Sequence, residues 1–182
     1  MSSVNSHKKY DAILVAGEGK SSYKVHHQNK AFLTINGKCL VHYIVETLQQ
    51  VESIRDIYVV GLKDELQQVF LTGHVDLSFP KRIHIVEQRS NLYENVWHTF
   101  LKSLKSENEE VPYTESHRDQ AMLIVPCDAP LMTPQEVEYF ISHANMESYD
   151  HVLGLVSQKK LKYFYPQEGK PGIKMAYLHI KE

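Results

Sequence analysis

The sequence predicts an α/β domain, a three-layer sandwich around a mostly parallel central sheet. Three observations predict it. Short, continuously apolar runs at 12–16 and 121–125 read as strands covered on both faces. Other stretches carry apolar residues every three to four positions, as one face of a helix requires. The two kinds alternate along the chain, and alternation of this sort builds βαβ units. At 182 residues the chain is long enough for one domain with a substantial core.

Residues 1–9 are polar and predict a loose tail. The run 10–16 ends at Gly17 and predicts the first strand. Residues 17–29 are polar, contain two glycines and predict a loop. Leu40, Val41, Ile44, Val45, Leu48 and Val51 predict a helix over about 39–51. A strand is expected at 54–60, a short helix at 64–71 and a strand at 82–87. Leu92, Val96, Phe100, Leu101 and Leu104 line one face of the next helix. Residues 105–120 hold five acids, two bases and few apolar residues, so they predict a surface loop. A buried strand follows at 121–126. Thr133, Pro134 and Glu136 stand as N-cap, N1 and N3 of a further helix, with Val137, Phe140, Ile141 and Ala144 facing inward. Two last strands are expected at 151–156 and 173–180.

Composition excludes several classes. Hydrophobic residues make up 42% and charged residues 23%, ordinary for a globular chain and unlike a disordered or collagen-like one. The formal charge of -2 gives no basic field for nucleic acid. No apolar stretch approaches the roughly 20 residues of a membrane span, and the amino terminus has no secretory h-region. Cys39 and Cys127 form neither a disulfide framework nor a zinc motif. The expectation is a cytoplasmic protein without nucleic-acid or membrane partners.

In open parallel sheets ligands sit beyond the carboxyl ends of the strands. That rule selects two constellations. The first is Ala16-Gly17-Glu18-Gly19-Lys20, with Asn29-Lys30 ten residues on. Glycines just past a strand let backbone N–H groups approach a phosphate, and a following lysine balances its charge. The spacing is neither a Walker A loop nor the dinucleotide fingerprint, since Ser22 replaces the third glycine of the latter. The second constellation is Pro126-Cys127-Asp128-Ala129-Pro130. A carboxylate directly after a strand suits Mg2+, a hard cation that bridges phosphates; equally, Asp128 suits a simple turn.

Taken together, these segments resemble the nucleotidyltransferases with a GT-A-like Rossmann fold. That family opens with a strand, a Leu-Ala-Ala-Gly-x-Gly-Thr-Arg-Met loop, a Pro-Lys pair and a Gly-Lys-Pro turn into a helix. Here the counterparts are Leu14 to Ser22, Asn29-Lys30-Ala31-Phe32-Leu33 and Asn36-Gly37-Lys38-Cys39-Leu40. Pro126 to Leu131 with Thr133-Pro134 is similar to the family's metal-binding Asp motif and following helix. The resemblance covers roughly residues 10–145, and molybdenum-cofactor guanylyltransferases and the cytidylyltransferases of isoprenoid synthesis belong to the same group.

The resemblance implies a nucleotide-diphospho-sugar transferase-like fold and a Mg2+-dependent transfer of NMP from an NTP to a small phosphorylated or hydroxyl acceptor, with pyrophosphate leaving. Ala16, Gly17, Glu18, Gly19 and Lys20 would cradle the triphosphate. Lys30 would offset phosphate charge as a catalytic residue. Asp128 would be both catalytic and the Mg2+ ligand, and Gln88 would lie near the base. Two departures stand out. Ser21 occupies the place of the family's loop arginine, with Lys20 and Lys24 nearby, and Asn29 replaces its proline. A lysine is a point charge and not a bidentate fork. The Ser21 departure, with the abrupt carboxyl end, favours an alternative, a catalytically degenerate domain that binds a nucleotide or sugar nucleotide. No second acidic ligand can be placed late in the chain. A chain ending straight after an expected strand leads to a further expectation: that residues 10–182 form one nucleotidyltransferase-like domain truncated at its carboxyl end.

The remaining features read as structural or stay open between two roles. His26-His27 fit a solvated loop, Cys127 a small buried hydrophobe, and Tyr93 and Trp97 helix packing. Residues 157–174 carry five lysines against one glutamate, suiting either an anionic acceptor or a solvated basic loop.

Overall fold

The computed structural model describes residues 8–18, 29–72, 80–104, 113–146 and 148–155. The chain divides into two units, Met1–Ala144 and Asn145–Glu182. In the first, besides two single 3-10 turns, the described residues form ten strands and α-helices. They are β1 (Tyr10–Val15), β2 (Thr34–Ile35), β3 (Lys38–Cys39), α1 (Leu40–Gln49), β4 (Ile54–Gly61), α2 (Lys63–Thr72), β5 (Ile83–Glu87), α3 (Leu92–Ser103), β6 (Met122–Pro126) and α4 (Pro134–His143).

β1 and β4 are strands because their residues are apolar on both sides of the pleat. Ala12, Ile13 and Leu14 are fully buried, as are Ile57, Val59 and Val60. The four long strands form one parallel sheet in the order β5-β4-β1-β6. β1 pairs with β4 through Ala12↔Ile57 and Val15↔Val60, and with β6 from Asp11↔Met122 to Val15↔Pro126.

Alternation along the strands sorts the helices into layers. Ala12, Leu14, Ile57 and Val59 pack with Val41, Ile44, Val45 and Leu48 of α1, Leu66 and Phe70 of α2 and Val137 of α4. Ile13, Tyr58, Val60 and Val86 face the other way, toward Val96 of α3. Each fully buried aliphatic side chain contributes about 1.5–3 kcal/mol relative to exposure, so these two clusters hold the layers together. The three-layer α/β architecture expected from the sequence is therefore the observed one.

α1 ends where Lys81 intervenes. Its ammonium donates to the carbonyls of Leu48 at 3.0 Å and Gln49 at 2.8 Å, and to that of Val51. A cation satisfying the last carbonyls of a helix closes it and complements its dipole. α4 starts on the expected capping box, with the Thr133 side chain accepting from the Glu136 N–H and the Glu136 carboxylate from the Thr133 N–H.

Three features differ from the sequence reading. β2 and β3 form a small antiparallel hairpin whose turn residues Asn36 and Gly37 both have positive φ, 51° and 78°. β6, expected to be a buried strand, is partly exposed: Ile124 keeps 47% of its surface. Among the described residues β6 pairs only with β1, so Asp128 follows the last strand of the sheet and not a central one. Residues 151–155, in the second unit, form no strand; Leu153 and Leu155 are exposed and no described strand pairs with them. The strand expected at 173–180 lies outside the described residues.

Candidate active site

Four strand ends meet at the carboxyl edge of the sheet, and backbone hydrogen bonds continue just past them. The Ala16 N–H donates to Val60 O at 2.8 Å, the Gln88 N–H to Gly61 O at 2.9 Å, and the Cys127 N–H to Val15 O at 3.2 Å. Ala16, Gln88 and Cys127 are thereby fixed in one row.

The segment 16–18 is gripped from both sides. The Gln88 side-chain carbonyl accepts from the Glu18 N–H at 2.8 Å. A Cβ on Gly17 would lie 2.6 Å from that oxygen and 3.5 Å from Asn95 Nδ2, so any larger residue would displace the Gln88 side chain from its bond to Glu18. Asn95, buried in α3, accepts from the Arg89 N–H. On the opposite side the Asn29 amide donates to the Ala16 carbonyl at 2.9 Å, while its Oδ1 accepts from the Ala31 N–H at 3.0 Å. Gly61 adds the floor: a Cβ there would stand 2.9 Å from the Ala16 oxygen.

Asn29 caps a single 3-10 turn, Lys30–Phe32. That turn carries the Lys30 ammonium to 3.4 Å from Asp128 Oδ2. Both side chains are partly exposed, at 42% and 47%. The loop bearing Asp128 is held from behind by a turn, Met132 N–H to Ala129 O at 3.1 Å. The Thr47 hydroxyl adds a bond to Met132 O at 3.1 Å. Burial, with the neighbouring Asp128 charge second, pushes the Cys127 thiol up to about 11, so it stays protonated and unreactive at neutral pH.

The structure thus places Ala16, Gly17, Glu18 and Gln88 in one contact group, and Lys30 with Asp128 in another. The Asn29 bond to Ala16 joins the two. Gly19 and Lys20, the other expected cradle residues, and Ser21 and Lys24 beside them, lie outside the described residues. Gln88, expected near a base, here spends its side-chain oxygen on the loop. Sequence reasoning passed over Asn29 and Asn95 as site residues. The available signal was positional, an asparagine directly before the site lysine and another in the first turn of the helix after Gln88.

Among the described residues no three His, Cys, Asp or Glu side chains cluster as a ready-made metal cage. Asp128, half exposed at the carboxyl edge, is a hard oxygen donor of the type that holds Mg2+ where phosphates and water complete the shell.

A parallel sheet with helices on both faces, bearing a glycine-containing segment and a Lys–Asp pair at its carboxyl edge, defines a doubly wound α/β domain. The chain belongs to the MobA-like NTP transferase domain family, whose model matches residues 12–165. Among solved structures it resembles 4-diphosphocytidyl-2C-methyl-D-erythritol synthase from Anaerococcus prevotii. The TM-score is 0.53 at 14% identity, over 75% of this chain and 51% of that one. It also resembles CMP:2-keto-3-deoxy-manno-octonic acid synthetase in complex with CTP. There the TM-score is 0.50 at 15% identity, over 74% of this chain and 46% of that one. The chain spans about half the length of these neighbours. No curated protein sequence matches it significantly. No helix among the described residues is long and apolar enough to cross a membrane.

Proposed function

We propose that the domain binds an NTP with Mg2+ and transfers the nucleoside monophosphate to a small phosphorylated or hydroxyl acceptor, releasing pyrophosphate. The observation that carries this reading is the meeting of Lys30 and Asp128 beside the 16–18 turn, within the segment matched by the family model. Phosphoryl chemistry of this kind requires alignment and charge neutralisation more than covalent help.

Each residue then has a task. In the Ala16–Glu18 segment the Gly17 N–H is the donor left for a phosphate oxygen, since those of Ala16 and Glu18 are bonded to Val60 and Gln88, and Gly19 and Lys20 continue the cradle. Lys30 supplies a mobile positive charge at the phosphates and, before they arrive, rests against Asp128. Asp128 supplies the carboxylate that would hold Mg2+. Bound there, the ion would neutralise phosphate charge and favour departure of pyrophosphate. Gln88 keeps the turn closed on β5, on the side where the base is expected.

The test is turnover of the four NTPs in the presence of Mg2+ and a panel of sugar phosphates and alcohols, read as pyrophosphate release. Pyrophosphate formed only with both NTP and acceptor supports the reading; its absence with every pair sinks it. Ser21 in place of the family's arginine favours one second reading, a nucleotide-binding domain without turnover. That reading predicts thermal stabilisation by an NTP, about 2.7 kcal/mol at a hundredfold excess over Kd, with no pyrophosphate.

A further inference from the structure

We infer that Asn29 is a positioning residue that sets two phosphate-facing donors at once, the Gly17 N–H and the Lys30 ammonium. The inference rests on the phosphate site proposed above. Asn29 is 7% exposed and uses both halves of its amide. The nitrogen holds the Ala16 carbonyl, 13 positions earlier in the chain, and the oxygen caps the turn that begins with Lys30.

The first bond fixes a peptide plane. The chain has no cis peptide among its described residues, and in a planar trans peptide the N–H points opposite to the carbonyl. With the Ala16 carbonyl held toward Asn29 and closed off by Gly61, the Gly17 N–H faces away from both. It forms no hydrogen bond among the described residues, whereas the next N–H, that of Glu18, is already bonded to Gln88. One donor of the turn is therefore left for a ligand, and its direction follows from the Asn29 bond.

The second bond fixes the start of the Lys30–Phe32 turn, with the Phe32 N–H returning to Asn29 O at 3.0 Å and the Leu33 N–H to Lys30 O at 3.2 Å. Lys30 consequently leaves the backbone at a set point and reaches the Asp128 carboxylate. A proline here, as in the resembling family, would reproduce the φ of −62° but neither side-chain bond. This chain thus achieves by hydrogen bonding what a ring can achieve only for the backbone angle.

The experiment is a double-mutant cycle on the full chain with inorganic tripolyphosphate and Mg2+ as the probe, followed by calorimetry, with a melting curve for each variant. Asn29→Ala should weaken tripolyphosphate binding by about tenfold or more. In a Lys30→Ala background the same substitution should cost clearly less, because part of its effect passes through Lys30. Asn29→Pro, which keeps the backbone angle, serves if the alanine variant does not fold, and should behave alike. Binding within about twofold of the parent for both Asn29 variants overturns the inference, and so do costs that simply multiply in the cycle. Lys30→Ala binding as well as the parent is a different failure: it removes the phosphate role of Lys30 itself, and the positioning of Lys30 falls with it.

Discussion

Lys30 Nζ lies 3.4 Å from Asp128 Oδ2, although 98 positions separate the two residues in sequence. They meet because β1 and β6 pair in register from Asp11↔Met122 to Val15↔Pro126, so the loops after both strands leave the same edge. The pair is half exposed on each side, and such pairs contribute about 0–1 kcal/mol to folding. Substitutions here should therefore be read in ligand binding and not in stability.

Asp128→Asn keeps the size and turn-forming ability of the side chain and removes the charge a hard cation needs. Its melting temperature should stay close to the parent's, while Mg2+-dependent NTP binding falls sharply. If Asp128 only supports its turn, the pattern reverses, with a lower melting temperature and an unaltered Mg2+ dependence.

Lys30→Ala should weaken NTP binding or turnover and leave the denaturation midpoint nearly unchanged. The variant's affinity is measured alongside its unfolding curve. Equal affinity for NTP in parent and variant would show that the ammonium does not face phosphate.

Two glycines make contrasting demands. A Cβ at Gly61 meets the Ala16 carbonyl at 2.9 Å and Leu66 Cδ1 at 3.0 Å, the first a backbone atom that cannot swing aside. Gly61→Ala should cost about 1–3 kcal/mol by overpacking. At Gly17 the clash at 2.6 Å is with the end of the Gln88 side chain. Gly17→Ala should cost less in stability, because Gln88 can rotate, but it gives up the Gln88–Glu18 bond. Melting curves of both variants rank them, and a larger loss at Gly17 contradicts this account.

Lys81→Met keeps the aliphatic stem and deletes the ammonium that closes α1. Three carbonyls lose the ammonium; those of Leu48 and Val51 keep the N–H groups of Val51 and Ile54, and the expected cost is about 1–3 kcal/mol. Denaturant titration with an unchanged midpoint would show that water replaces the ammonium without loss.

His42 gives the chain an acid-side weakness. It is buried on α1 with Nε2 unpartnered among the described residues and its ring edge-on to Phe70, centroids 5.2 Å apart. Burial pulls its pKa below the ordinary value; Glu46 opposes, Lys38 reinforces and a hydrogen bond to the Val69 backbone opposes. Above the unfolded pKa of about 6.5 both states are neutral and His42 contributes nothing to pH dependence. As the pH falls below that value the unfolded chain takes up the proton first, so stability drops until the folded pKa is passed. His42→Leu should lose this component. The difference in melting temperature between parent and variant should turn against the parent from about pH 8 to about pH 5. A constant difference over that range contradicts the assignment.

β1 and β4 were legible because two-sided burial leaves an unbroken apolar run, and α4 because Thr133, Pro134 and Glu136 are chemically specific to a helix start. β6 was legible as a strand and misread in its burial. Met122 to Val125 are as apolar as β1, and composition does not say whether a neighbour covers the second face. The β2–β3 hairpin carried a usable signal, Asn36-Gly37, the pair that accepts two positive φ angles in a tight turn; the resemblance of that segment to a turn into a helix obscured it. Lys30 and Asp128 were found from their positions after strands. Asn29 and Asn95 were not, since a buried polar residue looks in sequence like any loop or helix-surface residue, and its partners at Ala16 and Arg89 are visible only in three dimensions.

The pairing of β1 with β6 also has a consequence for how the protein is made. A ribosome adds about 5–20 residues per second, so the 98 positions between Lys30 and Asp128 take roughly 5–20 seconds to translate. During that interval β4 and β5 are themselves made and can join β1, but the flank of β1 that β6 will cover has no occupant. An open strand edge is a template for intermolecular pairing. Covering that flank and bringing Asp128 to Lys30 are one event, so a nascent chain acquires its site only when β1 is paired on both sides, and the outer edge of β6 is then open in its place among the described strands.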